Sequence, residues 1–437
     1  MATELEPRPV TAYSYYVVAA LAIVATMSSI DRTLISTVAE PIRHEFGLND
    51  SQLGVVTGLL FAVSFTLCGV PIGMLIDRVR RTYLLAGLLA LWSGLTVLSG
   101  FAQSLLQLGL ARIGVGASES GGAATSMSII ADYFPVERRG SALSLYYLST
   151  PTGVALGFAF GSLIAGHLGW RAAFLFGGVP GLVLSLVILL TLREPVRGGH
   201  DRTAPLADKP SFRACLATLF RVRPLLYLLL GGVLATASQS GLSAFMTPFM
   251  MRIHGVSIQH AGVAIAIAQI IGGYGGVLVG GLLTDRLAPR SPGSPAFAVA
   301  ILIWLAAPAA VAVLLVGSWQ LSIALLTLQL FLNFCYYAPH FATFVSLCPP
   351  QMRGTLTSIQ IVLMTLVGYG LGPVIAGVSS DFFHRLGVEN PLRWGMVVSS
   401  CLFLVAGACY LAASRAIKRS ADAIPEVDPA ARWQRGH

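Results

Sequence analysis

Four ionisable residues of this 437-residue chain stand where water is scarce: Asp31, Arg32, Arg112 and Glu119 each fall inside a long apolar run. A charge at the centre of a bilayer costs about 2.5 to 3.5 kcal/mol on insertion scales, so each needs a partner, a wet cavity or a task. The residue types suggest the task. Guanidinium groups bond phosphate or carboxylate through a two-pronged fork. A buried carboxylate beside arginines is pulled both ways, because burial opposes its charge while the cations favour it; such a group can take up and release a proton. With both carboxylates ionised the four charges cancel. Protonating Glu119, or drawing Asp31 away, frees positive charge for an anion, which links proton binding to anion binding. A buried ion network that only sets helix register is the structural alternative.

The elements that must position these groups follow from composition. Apolar residues make up 55% of the chain and charged ones 11%, where soluble proteins carry about a quarter charged. Most of the surface therefore faces lipid, and the net charge of +9 reads as basic residues gathered at one membrane face, not as a nucleic-acid footprint. The 46 Gly and 23 Pro suit packed, kinked membrane helices. A crossing needs roughly 20 apolar residues. Twelve such runs are present, at 13–38, 51–76, 82–102, 105–131, 141–166, 170–192, 225–250, 259–283, 295–316, 319–347, 355–377 and 392–413. The first is too long for a secretory signal, and Glu4 and Glu6 spoil the basic flank a signal needs. With the amino terminus inside, 21 Lys and Arg lie in inner segments. Only Arg43, Arg171, Arg252, Arg385 and Arg393 lie in outer ones, so both termini are expected in the cytoplasm of a plasma or bacterial inner membrane. The six Cys and eight His form no disulfide or metal pattern, and no metal or cofactor is expected.

Helix rise sets the depths. Asp31 and Arg112 each fall about seven residues, roughly 10 Å, below the outer end of their spans, and Glu119 lies seven residues deeper on nearly the same helix face. The first and fourth spans, as neighbours, would carry a vertical chain of charge.

The basic stretch Arg193–Arg223 divides six spans from six, which predicts a first bundle over 1–193, a cytoplasmic linker over 194–223 and a second bundle over 224–437. Short signals recur across it. Gly73-Met-Leu-Ile-Asp77-Arg78 follows the second span and Gly281-Leu-Leu-Thr-Asp285-Arg286 the eighth, 208 positions on; Arg139-Gly140 recurs as Arg353-Gly354, 214 positions on. Two like halves facing the same way form the parallel repeat of many secondary carriers, with the substrate held between them near the midplane. Asp and Arg at membrane edges can be mere punctuation, but that does not explain the repeated Gly and Asp. These loops therefore read as latches that hold one end-state: Asp77, Arg78, Arg81, Glu137 and Arg138 in the first half, Asp285 and Arg286 in the second.

Gly73…Asp77-Arg78-Val-Arg80-Arg81 resembles the loop signature of the major facilitator superfamily, and Arg112-Ile-Gly114-Val-Gly116 is similar to its second signature. More narrowly, the chain resembles the Spinster family. The runs that carry this are Asp31-Arg32, Ala39-Glu40-Pro41-Ile42-Arg43, Ala111-Arg112-Ile-Gly-Val-Gly116 with Glu119, Asp132-Tyr-Phe-Pro135-Val-Glu137-Arg138-Arg139-Gly140, and Gly169-Trp170-Arg171. The family's usual Gly-Glu-Ala stands here as Ser118-Glu119-Ser120, and the fifth span has Pro151 and Gly153 but no paired Gly-Pro-Gly-Gly of the antiporter signature. The resemblance implies an all-α membrane protein of twelve helices in two six-helix bundles. It also implies secondary transport of a lipid-like substrate, since Spinster-like carriers include exporters of sphingosine phosphate and of lysophospholipids in animals.

The second half has no intramembrane charge. It offers Ser238, Gln239, Gln269, Tyr274 and Tyr369, and a stripe of Asn333, Tyr336, Tyr337 and His340 at i, i+3, i+4 and i+7, which either glues helices or lines a cavity. One charged wall facing an aromatic one suits an amphiphile with an anionic head. The expected protein is a monomeric, proton-coupled carrier working by alternating access. Glu119 and Asp31 would couple the proton, and Arg32, Arg112, Asn333, Tyr336, Tyr337 and Tyr369 would bind a lysophospholipid or sphingoid phosphate. A carrier of a water-soluble organic anion or organophosphate is the runner-up. A membrane-embedded lipid enzyme would need a nucleophile–base pair or metal ligands at a membrane face, and the sequence shows neither.

Overall fold

Away from water these apolar runs can satisfy their backbone only as helices. The computed structural model describes residues 10–76, 78–196, 211–287, 291 and 293–422 and is helical through every span. Among the described residues, eleven helical runs are long and apolar enough to cross a membrane. They are Ala12–Thr37, Asp50–Ile76, Arg81–Ser99, Arg138–Leu168, Trp170–Thr191, Arg223–His254, Ile258–Leu287, Ser294–Leu315, Trp319–Leu347, Arg353–Arg385 and Pro391–Arg419. The fourth crossing is made by two shorter helices, Leu105–Glu119 and Gly122–Tyr133. The protein is thus a bundle of twelve crossings, in two sets of six.

The fourth crossing differs from the unbroken helix expected over 105–131, and local chemistry gives the reason. The Ser118 and Ser120 hydroxyls donate to the carbonyls of Gly114 and Ala117, in competition with the helix ladder. Gly121 is pressed so closely on Ile72 and Leu88 that a Cβ there would collide with both. The helix stops at Glu119 as a result, and its carboxylate sits at a break in mid-crossing. Discontinuous helices of this kind line binding sites in carriers.

The internal repeat extends into the helices themselves. The second and eighth crossings carry π-helical turns at Val55–Leu59 and Ile270–Tyr274, 215 positions apart. The break at Ser120-Gly121 recurs at Tyr336, between Trp319–Cys335 and Tyr337–Leu347. The interruption at Leu148 in the fifth crossing matches the π-helical turn Met364–Tyr369 in the eleventh. Part of the expected linker is ordered: Phe212–Arg221 is an amphipathic helix that buries Cys215 and Leu219 in the core of the last six crossings. Residues 197–210 lie outside the described residues.

Among the described residues, the two sets of six meet toward one end. At the end away from the termini, the second crossing packs along the eleventh and the fifth along the eighth. The approach is closest at glycine: a Cβ on Gly54 would strike the Pro373 carbonyl, and one on Gly377 the carbonyl of Asp50. At the terminus-bearing end, Gly73, Gly140, Gly281 and Gly354 have nothing within 4 Å of where a Cβ would stand. Among the described residues, the space between the halves is therefore closed at one mouth and parted at the other.

Candidate functional site

The first crossing brings Ser28 and Arg32 to one face, one turn apart, and both reach Glu119 at the end of the broken helix. Arg32 Nε donates to Glu119 Oε2 at 2.7 Å, and Ser28 Oγ donates to the same oxygen at 2.9 Å. The Arg32 guanidinium lies 4.9 and 5.1 Å from the ring centres of Phe61 and Phe65, which stack on the second crossing; cations favour such faces. Its side chain is 42% exposed, while that of Glu119 is fully buried.

A second pair lies next to the first. Arg112 is 1% exposed, with Nη1 3.8 Å from Asp31 Oδ1, and that oxygen accepts a 2.7 Å bond from Thr96 Oγ1. Phe61 also underlies Arg112, at 5.7 Å. Sequence spacing put Asp31, Arg32, Arg112 and Glu119 in one neighbourhood but did not assign the partners, and Ser28, Thr96, Phe61 and Phe65 escaped it because none of them is unusual inside an apolar run. The set is incompletely bonded. Asp31 Oδ2, Glu119 Oε1, and Nε and Nη1 of Arg112 are buried without a hydrogen-bond partner. Buried polar groups are seldom left so, and each orphan calls for an explanation.

The polar residues of the second half separate into two kinds. His340 is fully buried between the Tyr410 hydroxyl at 3.0 Å and the Gln360 amide at 2.6 Å, a packed core arrangement. Tyr336 is fully buried, with its ring 4.7 Å from that of Tyr337 and 6.2 Å from that of Tyr410. Tyr337 is partly exposed and Tyr369 half-exposed. Asn333 is 1% exposed, and both polar atoms of its side chain lack partners.

Of the residues expected to latch the loops, four are described at the parted mouth. Arg78, Arg138, Asp285 and Arg286 are exposed there, and among the described residues no ion pair joins the two halves at this end. Asp77 and the side chain of Glu137 lie outside the described residues. Arg81 is buried within the first half, where it bonds Asp132 at 2.5 Å, Glu194 at 2.9 Å and Ser128. Burial works against the Glu194 charge, but bonds from Thr82 and Arg81 outweigh it and hold the carboxyl below its ordinary value.

At the closed mouth an ionic network does bridge the halves. Arg252, on the seventh crossing, reaches Glu40 at 2.6 Å and both oxygens of Asp50 at 2.8 and 3.0 Å. Ser380 donates to Asp50 at 2.6 Å, and Asp381 accepts from the backbone N–H groups of Asp50 and Ser51, at the start of the second crossing. Its carboxylate thereby serves a helix N-terminus. Nearby, within the first half, Glu45 takes a forked pair of bonds from Arg171 at 2.7 and 2.6 Å and one from Trp170 at 2.7 Å. These bonds hold its carboxyl down to about 2.

Comparison with known proteins agrees with this architecture. The family model of the Major Facilitator Superfamily matches residues 21–361. A relative in Mycolicibacterium smegmatis (strain ATCC 700084 / mc(2)155), described as an MFS-type efflux pump, is 31% identical over 403 residues, 92% of this chain and 93% of its own length. Protein spinster of Drosophila melanogaster is 26% identical over 430 residues, 94% of this chain and 70% of its own. The crystal structure of a bacterial homolog of the human lysosomal transporter Spinster, inward-facing and unoccupied, superposes with a TM-score of 0.84 at 28% identity. It covers 94% of this chain and 98% of that one. Twelve crossings in two repeated sets, a buried charge cluster at a broken helix and these likenesses place the chain in the Major Facilitator Superfamily, as a Spinster-like membrane transporter.

Proposed function

We propose that the protein is a proton-coupled carrier of an anionic amphiphile, such as a lysophospholipid or sphingoid phosphate, working by alternating access. The observation that carries this reading is the set of unbonded atoms at the charge cluster. Asp31 Oδ2 and Glu119 Oε1 are buried acceptors without donors, and a proton on either carboxyl would supply one. Arg112 Nε and Nη1 are buried donors without acceptors, which an anionic headgroup would supply. Proton and anion thus meet at one cluster, joined through the Arg32–Glu119 bond. Phe61, Phe65, Tyr337 and Tyr369 provide the apolar and aromatic surface that an alkyl tail prefers.

The excess of Lys and Arg at the terminus-bearing end supports a cytoplasmic location for that end. The parted mouth is then the inward one, and Arg252 with Glu40 and Asp50 closes the outward one. In the opposite state the loops bearing Asp77, Arg78, Asp285 and Arg286 would close the inner mouth. Residues 1–193 and 224–437 act as the two moving bodies, with 194–223 between them. Export is the direction suggested by the relative described as an efflux pump.

The test is a thermal-shift screen of purified protein against lysophospholipids, sphingoid phosphates and soluble organophosphates, with Arg112→Ala alongside. Stabilisation by single-tailed phospholipids, lost in Arg112→Ala, is the expected outcome. Stabilisation by soluble anions alone would assign a water-soluble substrate instead. No anion-dependent shift in the wild type would refute the reading.

A further inference from the structure

The last six crossings hold a second cluster of polar atoms that the charge site does not use. Gln329, on the tenth crossing, donates from Nε2 to Gln239 Oε1 of the seventh at 2.8 Å, and Gln239 Nε2 in turn donates to Ser243 Oγ at 3.2 Å. Gln239 and Ser243 line a cavity of about 10 Å³ together with Gln269 of the eighth crossing, Leu326 and Leu330 of the tenth, and Phe158 of the fifth. It therefore lies between helices of both halves. Asn333 follows Leu326 and Leu330 at i+7 and i+3, which sets it on their helix face. Gln329 is fully buried, Asn333 is 1% exposed and Gln269 4% exposed. The bonding is again incomplete, for Gln329 Oε1 and both Asn333 Oδ1 and Nδ2 have no hydrogen-bond partner.

Helix rise places this cluster level with the charged one. Gln269 lies eleven residues from the start of its helix at Ile258, and Gln329 ten from Trp319, so both are about 15 to 17 Å below the closed mouth. Glu119 lies fourteen residues from Leu105, about 21 Å below the same mouth. The charged wall and the amide wall thus share the middle of the bundle.

We propose that Gln239, Gln269, Gln329 and Asn333 form a subsite for a hydroxyl group on the substrate, opposite the arginines that take its anionic group. This rests on the reading that substrate occupies the space between the halves. The unmet atoms include two acceptors and one donor, and a hydroxyl is the smallest group that both donates and accepts. The cavity lined by Gln239, Ser243 and Gln269 has room for one water-sized group such as a hydroxyl oxygen; Gln329 adjoins it through its bond to Gln239, and Asn333 through the helix face it shares with the lining Leu326 and Leu330. Uncharged amides suit a neutral group and would leave a second phosphate unneutralised. The two walls together select a substrate that carries both an anionic group and a hydroxyl.

The experiment compares two pairs of probes by their dissociation constants from the purified protein. One pair is a 1-acylglycerol 3-phosphate and a monoalkyl phosphate of equal chain length; the other is glycerol 3-phosphate and propyl phosphate. The hydroxyl-bearing member is expected to bind at least about tenfold more tightly, because the analogue leaves the buried amides unpaired. In Asn333→Leu and Gln329→Leu the preference should fall to about onefold. The ligand-free Asn333→Leu protein should also melt at a higher temperature, since the substitution removes unbonded buried atoms. A preference in the soluble pair without binding of either lipid would sink the amphiphile reading and leave the subsite standing. Equal affinities in every pair, no binding by any probe, or a preference that survives both substitutions would overturn the proposal and leave a single water in the cavity. A lower melting temperature for Asn333→Leu would mark the amide as helix–helix glue and overturn its role as well.

Discussion

Arg252→Ala should open the outward mouth, and the structure gives the size of the effect. The guanidinium joins Glu40 and Asp50 of the first half to the seventh crossing, and the two carboxylates are 3% and 7% exposed. Removing one partner from a fully buried pair costs about 3 to 5 kcal/mol, because the other charge stays behind unpaired. Two features reduce that here. The Arg252 side chain is 20% exposed, and Arg43 remains 3.4 Å from each carboxylate. A loss of about 2 kcal/mol from the closed arrangement is then reasonable, which at about 1.4 kcal/mol per decade shifts the closed-to-open ratio roughly 30-fold. Ala39, fully buried where the halves meet, supplies the reporter. In a cysteine-free background, Ala39→Cys would be labelled by an impermeant maleimide only while the mouth is open. Labelling should quicken about 30-fold in the Arg252→Ala variant and by less with Arg252→Lys, whose single ammonium cannot fork to both acids. An unchanged rate would refute the view that this network holds the mouth shut.

Further predictions concern the proton site, the inner loops, the glycine contacts and the Glu45 brace. Glu119→Gln should bind substrate with an affinity that no longer varies with pH; a variant as pH-sensitive as the wild type would rule Glu119 out as the proton site. Arg78→Ala should favour the present state, because among the described residues no ion pair joins Arg78 to the other half and its latch belongs to the opposite state. Ala39→Cys labelling in that variant should slow or stay level, and acceleration would contradict the latch assignment. Gly54→Ala would drive a methyl into the Pro373 carbonyl and should speed Ala39→Cys labelling as Arg252→Ala does; a wild-type rate would mean that the second and eleventh crossings part without consequence. The Glu45 carboxyl is held at about 2 against an ordinary 4.5, so its bonds stabilise the fold above pH 4.5, and that contribution drains away as pH falls toward 2. The melting-temperature gap between wild type and Glu45→Gln should be constant from pH 7 to 5 and narrow progressively below 4.5. The gap will be small because both partners are more than a third exposed, and one that is undiminished at pH 3 would contradict the linkage.

The amino-acid sequence alone determined the crossings, the repeat and the depth of each buried charge. Hydrocarbon thickness is a constraint along one dimension, and a helix converts residue count into depth at a fixed rise. That is why Asp31, Arg32, Arg112 and Glu119 could be set at neighbouring heights from spacing alone. Which of them bond depends on azimuth and on the distance between helix axes, and neither is written along the chain. Only the tertiary structure paired Arg32 with Glu119 and left Arg112 with a distant Asp31 and two unbonded nitrogens. It also decided the break at Ser120-Gly121, since what forces glycine there is the proximity of Ile72 and Leu88, remote in sequence. The Arg252 network was invisible for the same reason: Arg252 lies more than 200 residues from both Glu40 and Asp50, and each alone reads as an ordinary charge at a membrane edge. His340 and Asn333 share one helical stripe in the sequence, yet packing against Tyr410 and Gln360 satisfied the first and left the second without a partner.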